Sequence, residues 1–367
     1  MPTRASLEVL RAEARDELGT VVEERLRGGE DPWAFMHEML TVDEMVVLLL
    51  HGELVHDALT PDALLDRVAG AYPAQVGMST TSALAVLRFD GDRILGHDLV
   101  DPGTPVLTAL DLAVTRGDGV FESINVGDGH PQALDAHILR FVRSAAMLDL
   151  PVPDADAWRA AVMAAAGALD PVPEAFVKTV LSRGIEGGDT PTGFAYATVS
   201  PDYAAARIDG LRIVLLDRGL RSDVADTSPW LLAGAKTLSY AINRAAVREA
   251  AKRGADDVVF VSSDGFLLEG PNASLVLLRD GRLLTPPTEA GILPGTTQAD
   301  VFSWAPSRGL EPLYQPLRPR DLLDAEAAWL VSSVRNVVPI RAVDHAELDV
   351  DHELSEAMNA FLRRRRD

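Results

Sequence analysis

Residues 231–243 read Leu-Leu-Ala-Gly-Ala-Lys-Thr-Leu-Ser-Tyr-Ala-Ile-Asn, and the cation in this run, Lys236, is the residue around which the chain is organised. Three small residues, Ala233, Gly234 and Ala235, precede it, and apolar residues flank it on both sides. An ammonium so placed is a poor solvated lysine. Burial among apolar groups disfavours the charged form, lowers the pKa and leaves an amine able to attack a carbonyl. For this segment alone the alternative is a lysine whose stem covers the edge of a buried strand while its head stays in water.

Working outward, four further stretches stand in fixed order. Upstream are Arg116-Gly117-Asp118-Gly119-Val120-Phe121-Glu122 and His137-Ile138-Leu139-Arg140. Downstream are Leu267-Leu268-Glu269-Gly270-Pro271-Asn272 and Gly291-Ile292-Leu293-Pro294-Gly295-Thr296-Thr297-Gln298. Together with the lysine segment they resemble the fold-type IV pyridoxal-phosphate family, which comprises branched-chain aminotransferases, D-amino-acid aminotransferases and aminodeoxychorismate lyases. Ordered motifs are more specific than any one of them alone. The resemblance runs from Met78 to the C-terminus. It implies an α/β (α+β two-domain) fold of the D-amino-acid aminotransferase type, pyridoxal 5′-phosphate as cofactor, and a homodimer with the active site near the subunit interface.

Bulk properties agree with an enzyme of this kind. At 367 residues, 47% apolar and 24% charged, the chain has room for two domains and an ordinary globular profile. A formal charge of -21 argues against a nucleic-acid partner, whose phosphates would be repelled. There are no cysteines, so no disulfide framework and no thiolate chemistry. The histidines show no pair at metal-ligand spacing. The apolar cluster Met45 to Leu50 is too short to cross a bilayer, and a cytoplasmic protein is expected.

Residues 1–77 read as an added helical N-terminal segment and linker. Leu7, Leu10, Ala14, Leu18, Val22 and Leu26 recur at helical steps, and Asp31-Pro32 and Thr41 to Glu44 give helix-start signals. Residues 78–199 form a small α/β domain, with strands over Ala83 to Phe89, Val120 to Val126, Phe176 to Leu181 and Gly193 to Val199. Helices are expected over Ala133 to Leu148 and Trp158 to Leu169. Residues 200–207 link this to a large α/β pseudo-barrel domain, 208–367. That domain carries a helix from Tyr240 to Arg253 and another opening at Thr296. Its short strands are Val258 to Ser262, Phe266 to Leu268, Ser274 to Leu278, Leu283-Leu284 and Ala327 to Ser332. The arginines that close the chain read as a solvated helix end, where cations oppose the negative dipole terminus.

The resemblance assigns the chemistry. Lys236 is the catalytic lysine that bonds the cofactor. Glu269 is the acid beside the pyridine nitrogen; without the motif around it, it would be a turn carboxylate before Gly-Pro. Arg140, Thr296, Thr297 and Ser333 form the phosphate cup, and the Pro-Gly-Thr-Thr run before a helix suits an anion. Threonines at a helix start also occur without a ligand. Tyr240 either approaches the cofactor's phenolic oxygen or belongs to the core.

The substrate wall decides the reaction. Val177-Lys178-Thr179-Val180-Leu181-Ser182-Arg183-Gly184 and Arg116 resemble aminodeoxychorismate lyases. A substrate with two carboxylates asks for two or more cations, and Lys178, Arg183 and Arg116 are the candidates. On a straight strand Lys178 and Arg183 would face opposite sides, so both reach the substrate only if the chain bends near Ser182. Ser123 stands where many relatives have threonine. Three functions follow. The first is a lyase making 4-aminobenzoate and pyruvate from 4-amino-4-deoxychorismate or a related amino-cyclohexadiene. The second is a branched-chain or D-amino-acid transaminase. The third is a non-catalytic binding protein, which the joint presence of Lys236, Glu269 and the cup argues against.

Overall fold

The computed structural model describes residues 80–365; the helical segment expected over residues 1–77 lies outside them. The first half is one antiparallel sheet with helices on one face. Its strands are β1 (Ser82–Asp90), β2 (Arg93–Val100), β3 (Gly119–Gly127), β4 (His130–Pro131), β5 (Glu174–Ser182) and β6 (Thr192–Val199), in the order β2-β1-β6-β5-β3-β4. Helices α1 (Leu134–Met147) and α2 (Ala155–Gly167) cover it. Side chains alternate across a strand, so Val120, Ile124, Ala175 and Val177 point into this helical layer. There Phe141 and Trp158, both fully buried, meet edge-on at 4.8 Å. The intervening residues Phe121, Ser123 and Lys178 face the other way, toward the second half of the chain.

The crossing segment, Ala204–Asp209, is a short helix. Its Arg207 holds Glu174 of β5 through two bonds of 2.7 and 2.8 Å and donates to the Arg335 carbonyl at 2.9 Å. One guanidinium thus ties the first sheet to the second, in the bidentate geometry that arginine favours.

The second half winds a mixed sheet in the order β11-β10-β9-β12-β13-β7-β8. The strands are β7 (Leu211–Asp217), β8 (Asp257–Val261), β9 (Ser274–Arg279), β10 (Arg282–Thr285), β11 (Glu311–Tyr314), β12 (Ala327–Ser332) and β13 (Asn336–Val343). A short β14 (Ala346–Glu347) pairs with β13. The sheet curls until its edges meet. Leu268 N–H donates to the Phe260 carbonyl of β8 at 2.8 Å, and Leu267 N–H donates to the Leu317 carbonyl beyond β11 at 2.7 Å. Alternate residues of β9 then serve two cores. Leu275 and Leu277 fill the inside, while Val276 and Leu278 pack with α4 (Thr296–Trp304) and α5 (His352–Arg363). Helix α3 (Ala241–Lys252) packs Ala246 and Ala250 on the β7–β8 side.

Several elements differ from expectation. Phe266 to Leu268 is no strand of its own but the connector that closes the sheet, with one isolated bridge from Leu267 to Val261. β13 and most of α5 were not anticipated, although β13 lies between β12 and β7 in the middle of the sheet. No helix among the described residues is long and apolar enough to cross a membrane.

Candidate active site

The site forms where the first sheet meets the loops of the second. Residues 236–238 lie along β3: Phe121 N–H donates to the Lys236 carbonyl at 3.1 Å, Leu238 N–H to the Gly119 carbonyl at 2.8 Å. Lys236 N–H donates to Ser144 Oγ of α1 at 3.1 Å. Gly119 is required for this approach, since a Cβ there would lie 2.5 Å from the Leu181 carbonyl oxygen and 2.7 Å from Leu238 Cδ1. The backbone at Lys236 is therefore pinned from both sides. Its Nζ lies 4.3 Å from the centroid of the Phe121 ring. Enclosure lowers the ammonium pKa to about 8. Arg140 and Lys178 press the same way, and Glu122 and Glu269 oppose.

Glu269 follows the connector that closes the second sheet. Its Oε1 accepts from Leu293 N–H at 3.1 Å, and this is its sole hydrogen bond. Burial pushes the carboxyl up to about 7; the Leu293 N–H and the charges of Lys236, Arg218 and Arg140 pull against it. A cation brought beside it would hold it ionised. In the chain alone the consequence is a stability cost. The native carboxyl keeps its proton up to about pH 7, whereas the unfolded one loses it near 4.5. The native state then holds more protons between these values, so stability falls as pH rises through that window. Glu269→Gln is expected to stabilise the cofactor-free protein by up to about 3 kcal/mol at pH 8 and by little at pH 5. Urea melts at the two pH values check this, and an equal effect at both would contradict it.

The hydroxyls of the expected phosphate cup do come together, and what joins them is His137. Thr296 Oγ1 and Ser333 Oγ lie 3.2 and 3.1 Å from its Nε2, and Thr297 Oγ1 is 3.4 Å from Ser333 Oγ. Helix α4 starts here at Gly295, which offers no side-chain cap to the first-turn N–H groups. A side chain at 295 would collide with Ser274 Oγ, 2.3 Å from an added Cβ. Arg140 enters from α1. It grips Glu122 of β3 with Nε and Nη2, both at 2.7 Å, and donates Nη1 to the Pro294 carbonyl at 2.9 Å. That pair, with His137 Nδ1 2.7 Å from Glu122 Oε2, drives the Glu122 carboxyl far below the usual carboxylate range despite complete burial.

Tyr240 is held by its hydroxyl to the turn after Glu269. It donates to the Pro271 carbonyl and lies 2.8 Å from Asn272 Oδ1. Its ring stands edge-on to Phe121 at 5.4 Å, so it borders the Lys236 side chain. Lys178 is exposed on the same face of the first sheet, in register with Ser123 of β3 and Tyr196 of β6. No ion pair among the described residues holds it. Arg116 is exposed beside the Gly117 turn, whose carbonyl accepts from Ser239 Oγ; among the described residues its guanidinium donates to the neighbouring Thr115 carbonyl alone.

Arg183 is placed differently from expectation. The β3–β5 register runs unbroken from Gly127↔Glu174 to Gly119↔Ser182, so there is no bend at Ser182. Arg183 therefore faces away from Lys178. Its guanidinium holds Asp118 at 2.7 and 3.3 Å and caps the end of α1 through the Leu148 and Asp149 carbonyls at 2.6 and 3.0 Å. Each of its three side-chain nitrogens is engaged there, and it supports the fold rather than the substrate wall.

Glu122, His137 and Ser144 enter the site although only the first two lay in quoted motifs and none was assigned a role. The signal was present: His137, Arg140 and Ser144 follow steps of three and four and share one face of α1.

A partly buried amine of lowered pKa, a carboxyl with an oxygen that no described donor reaches, and hydroxyls gathered at an uncapped helix start are the kinds of group a pyridoxal-phosphate site needs. The comparisons agree. Residues 119–343 match the family Amino-transferase class IV. A bifunctional aminodeoxychorismate lyase / D-amino acid transaminase of Mycobacterium tuberculosis is 45% identical over 69% of this chain and 91% of its own length. Among solved structures, a fold IV transaminase from Curtobacterium pusillum is 50% identical, with a TM-score of 0.74 over 77% of this chain and 99% of that one. A hypothetical aminotransferase from M. tuberculosis, in its PLP-bound form, is 40% identical, with a TM-score of 0.70 over 77% and 98%. The chain belongs to the class IV aminotransferase family, and its cofactor is pyridoxal phosphate.

Proposed function

We propose that the protein is a lyase that removes pyruvate from 4-amino-4-deoxychorismate, or a closely related amino-cyclohexadiene, to leave 4-aminobenzoate. The observation that carries this is Lys178, an ammonium with no ion-pair partner among the described residues, on the wall that bears Phe121 and Ser123 and near enough to Lys236 to depress its pKa. An aliphatic amino acid has no second carboxylate to occupy it; the cyclohexadiene has. Arg116, likewise unpaired with any carboxylate, supplies further positive charge beside the Lys236–Tyr240 segment. A homodimer and a cytoplasmic setting go with this function.

Pyridoxal phosphate, when bound, supplies an aldehyde that takes up the substrate amine and a ring that accepts the electron pair left at the adjacent carbon. Lys236 removes the proton from the carbon bearing nitrogen; an amine titrating near 8 both accepts and returns a proton at neutral pH. Glu269 keeps a negative charge at the ring nitrogen. Lys178 fixes a carboxylate, so that the C–O bond to the enolpyruvyl group is presented for cleavage. Ser123, paired with Lys178 in the β3–β5 register, gives the departing enol its proton in this reading. Aromatisation of the ring makes the elimination effectively irreversible.

One observation favours a transaminase instead. With Arg183 engaged by Asp118, the wall has one cation fewer than a dicarboxylate was expected to meet. The same Lys236 would then carry a proton between two adjacent carbons, and a keto acid would be needed to complete a turnover. Incubation with aminodeoxychorismate and no keto acid separates the two. Pyruvate and 4-aminobenzoate in equal amounts are expected; strict dependence on 2-oxoglutarate would reject the lyase. Lys178→Met is expected to lower kcat/KM for aminodeoxychorismate about tenfold to a hundredfold, with transamination of D-alanine changed by less than about threefold.

A further inference from the structure

The buried chain Glu122–His137–Thr296/Ser333 sets a problem in hydrogen-bond accounting. Glu122 is ionised against Arg140 and can only accept, so His137 Nδ1 must carry the hydrogen that lies between them. That leaves Nε2 facing two hydroxyls, Thr296 Oγ1 at 3.2 Å and Ser333 Oγ at 3.1 Å. The charged groups that act most on the ring are Glu122 on β3, Arg140 on its own helix and Lys236 from the facing loop, while Asp300 of α4 and Arg365, paired with each other, line the same small cavity. Burial, reinforced by Arg140 and Lys236, holds the imidazole below its ordinary pKa against the pull of Glu122. In the protein alone, then, the ring is neutral and Nε2 is an acceptor toward which hydroxyl hydrogens point.

A phosphate dianion changes what these hydroxyls must do. Its oxygens only accept, so the hydrogens of Thr296 and Ser333 are wanted on the phosphate side. If they turn, a neutral Nε2 is left buried with a lone pair and no donor, which is costly. A proton on Nε2 removes the conflict. The imidazolium donates through Nδ1 to Glu122 and through Nε2 to a hydroxyl oxygen, the hydroxyl hydrogens go to the phosphate, and a positive charge faces the dianion.

We infer that His137 takes up one proton from solvent when a phosphate dianion enters the cup, so that seating the cofactor's phosphate arm is proton-linked. This rests on the phosphate cup of Arg140, Thr296, Thr297 and Ser333, not on the choice between lyase and transaminase. No bond other than N–H is made or broken. The imidazole is a positioning residue: it sets the direction in which the hydroxyls point.

The test is calorimetric titration of the full-length, cofactor-free chain with inorganic phosphate at pH 8, in two buffers of different ionisation enthalpy. The wild-type protein is expected to take up close to one proton per phosphate bound, with affinity falling about tenfold per pH unit above the imidazole's free pKa. His137→Gln, which keeps hydrogen-bonding capacity but cannot be protonated, is expected to bind with uptake near zero and a flat pH profile. Wild-type binding without proton uptake would overturn the inference on its own, whether or not the variant folds. Equal uptake in His137→Gln would overturn it too, assigning the proton elsewhere, with Lys236 the first alternative. Absence of phosphate binding would withdraw the cup and the proton step together. None of these outcomes bears on whether pyruvate is released without a keto acid.

Discussion

Replacing Lys236 with alanine is expected to cut turnover by roughly 10⁴- to 10⁶-fold, in line with removal of a residue that serves as both nucleophile and base. The size follows from the surroundings. The ammonium is enclosed, lies over the Phe121 ring and titrates near 8, and its backbone is fixed by Ser144 and β3, so no other amine can take its place. The sequence holds only three lysines, Lys178, Lys236 and Lys252. Of these Lys252 lies at the exposed end of α3, paired with Glu249 at 3.5 Å. Borohydride treatment of the cofactor-loaded protein, followed by peptide mass mapping, should therefore place the label on the Lys236 peptide alone. Label on Lys178, or a Lys236→Ala protein retaining more than about a hundredth of the activity, would remove this residue from its role.

The next largest loss is expected at Glu269. Glu269→Ala should lower kcat about 10²- to 10⁴-fold, because the carboxylate's contribution is electrostatic and is made where charge develops. Phosphate-cup residues are on other elements, α1, the start of α4 and the turn after β12, so cofactor affinity should fall far less than kcat. Single-turnover rates and a cofactor titration, taken together, measure the split. Equal losses in both would mean that the side chain merely supports the loop at Leu293, to which it is bonded.

The family and its cofactor were legible in the sequence because they are carried by short ordered motifs whose local shape is self-determined. Thr296–Trp304 and Ala327–Ser332 occur with the expected boundaries, and the glycine and proline around them leave the chain few other paths. β13 was hidden by Pro339. A proline cannot donate to a ladder and usually argues against a central strand. Here the pairing of β13 with β7 begins only at Ile340 and shifts register before Ala342, so the proline falls outside that ladder. α5 carried its signal openly: Asp351 accepts from Leu354 N–H at 2.8 Å, and Leu354, Met358 and Leu362 recur every four residues on the buried side. The fate of Arg183 could not be read without the strand register, because a single added bulge would have turned it into the cleft.

The seat for the anion has no single owner. Arg140 and Ser144, on a helix of the first sheet, grasp Pro294 and Lys236, which belong to loops of the second. If the halves separate by even a few ångströms, these two grips break together with the Arg207 clasp and the β3 bonds to residues 236–238, while Trp158 and Trp329 stay sealed in their separate interiors. Heat would then disable the protein by emptying it of its vitamin well before it melts, and surplus vitamin in the medium would serve as a fastener across the seam.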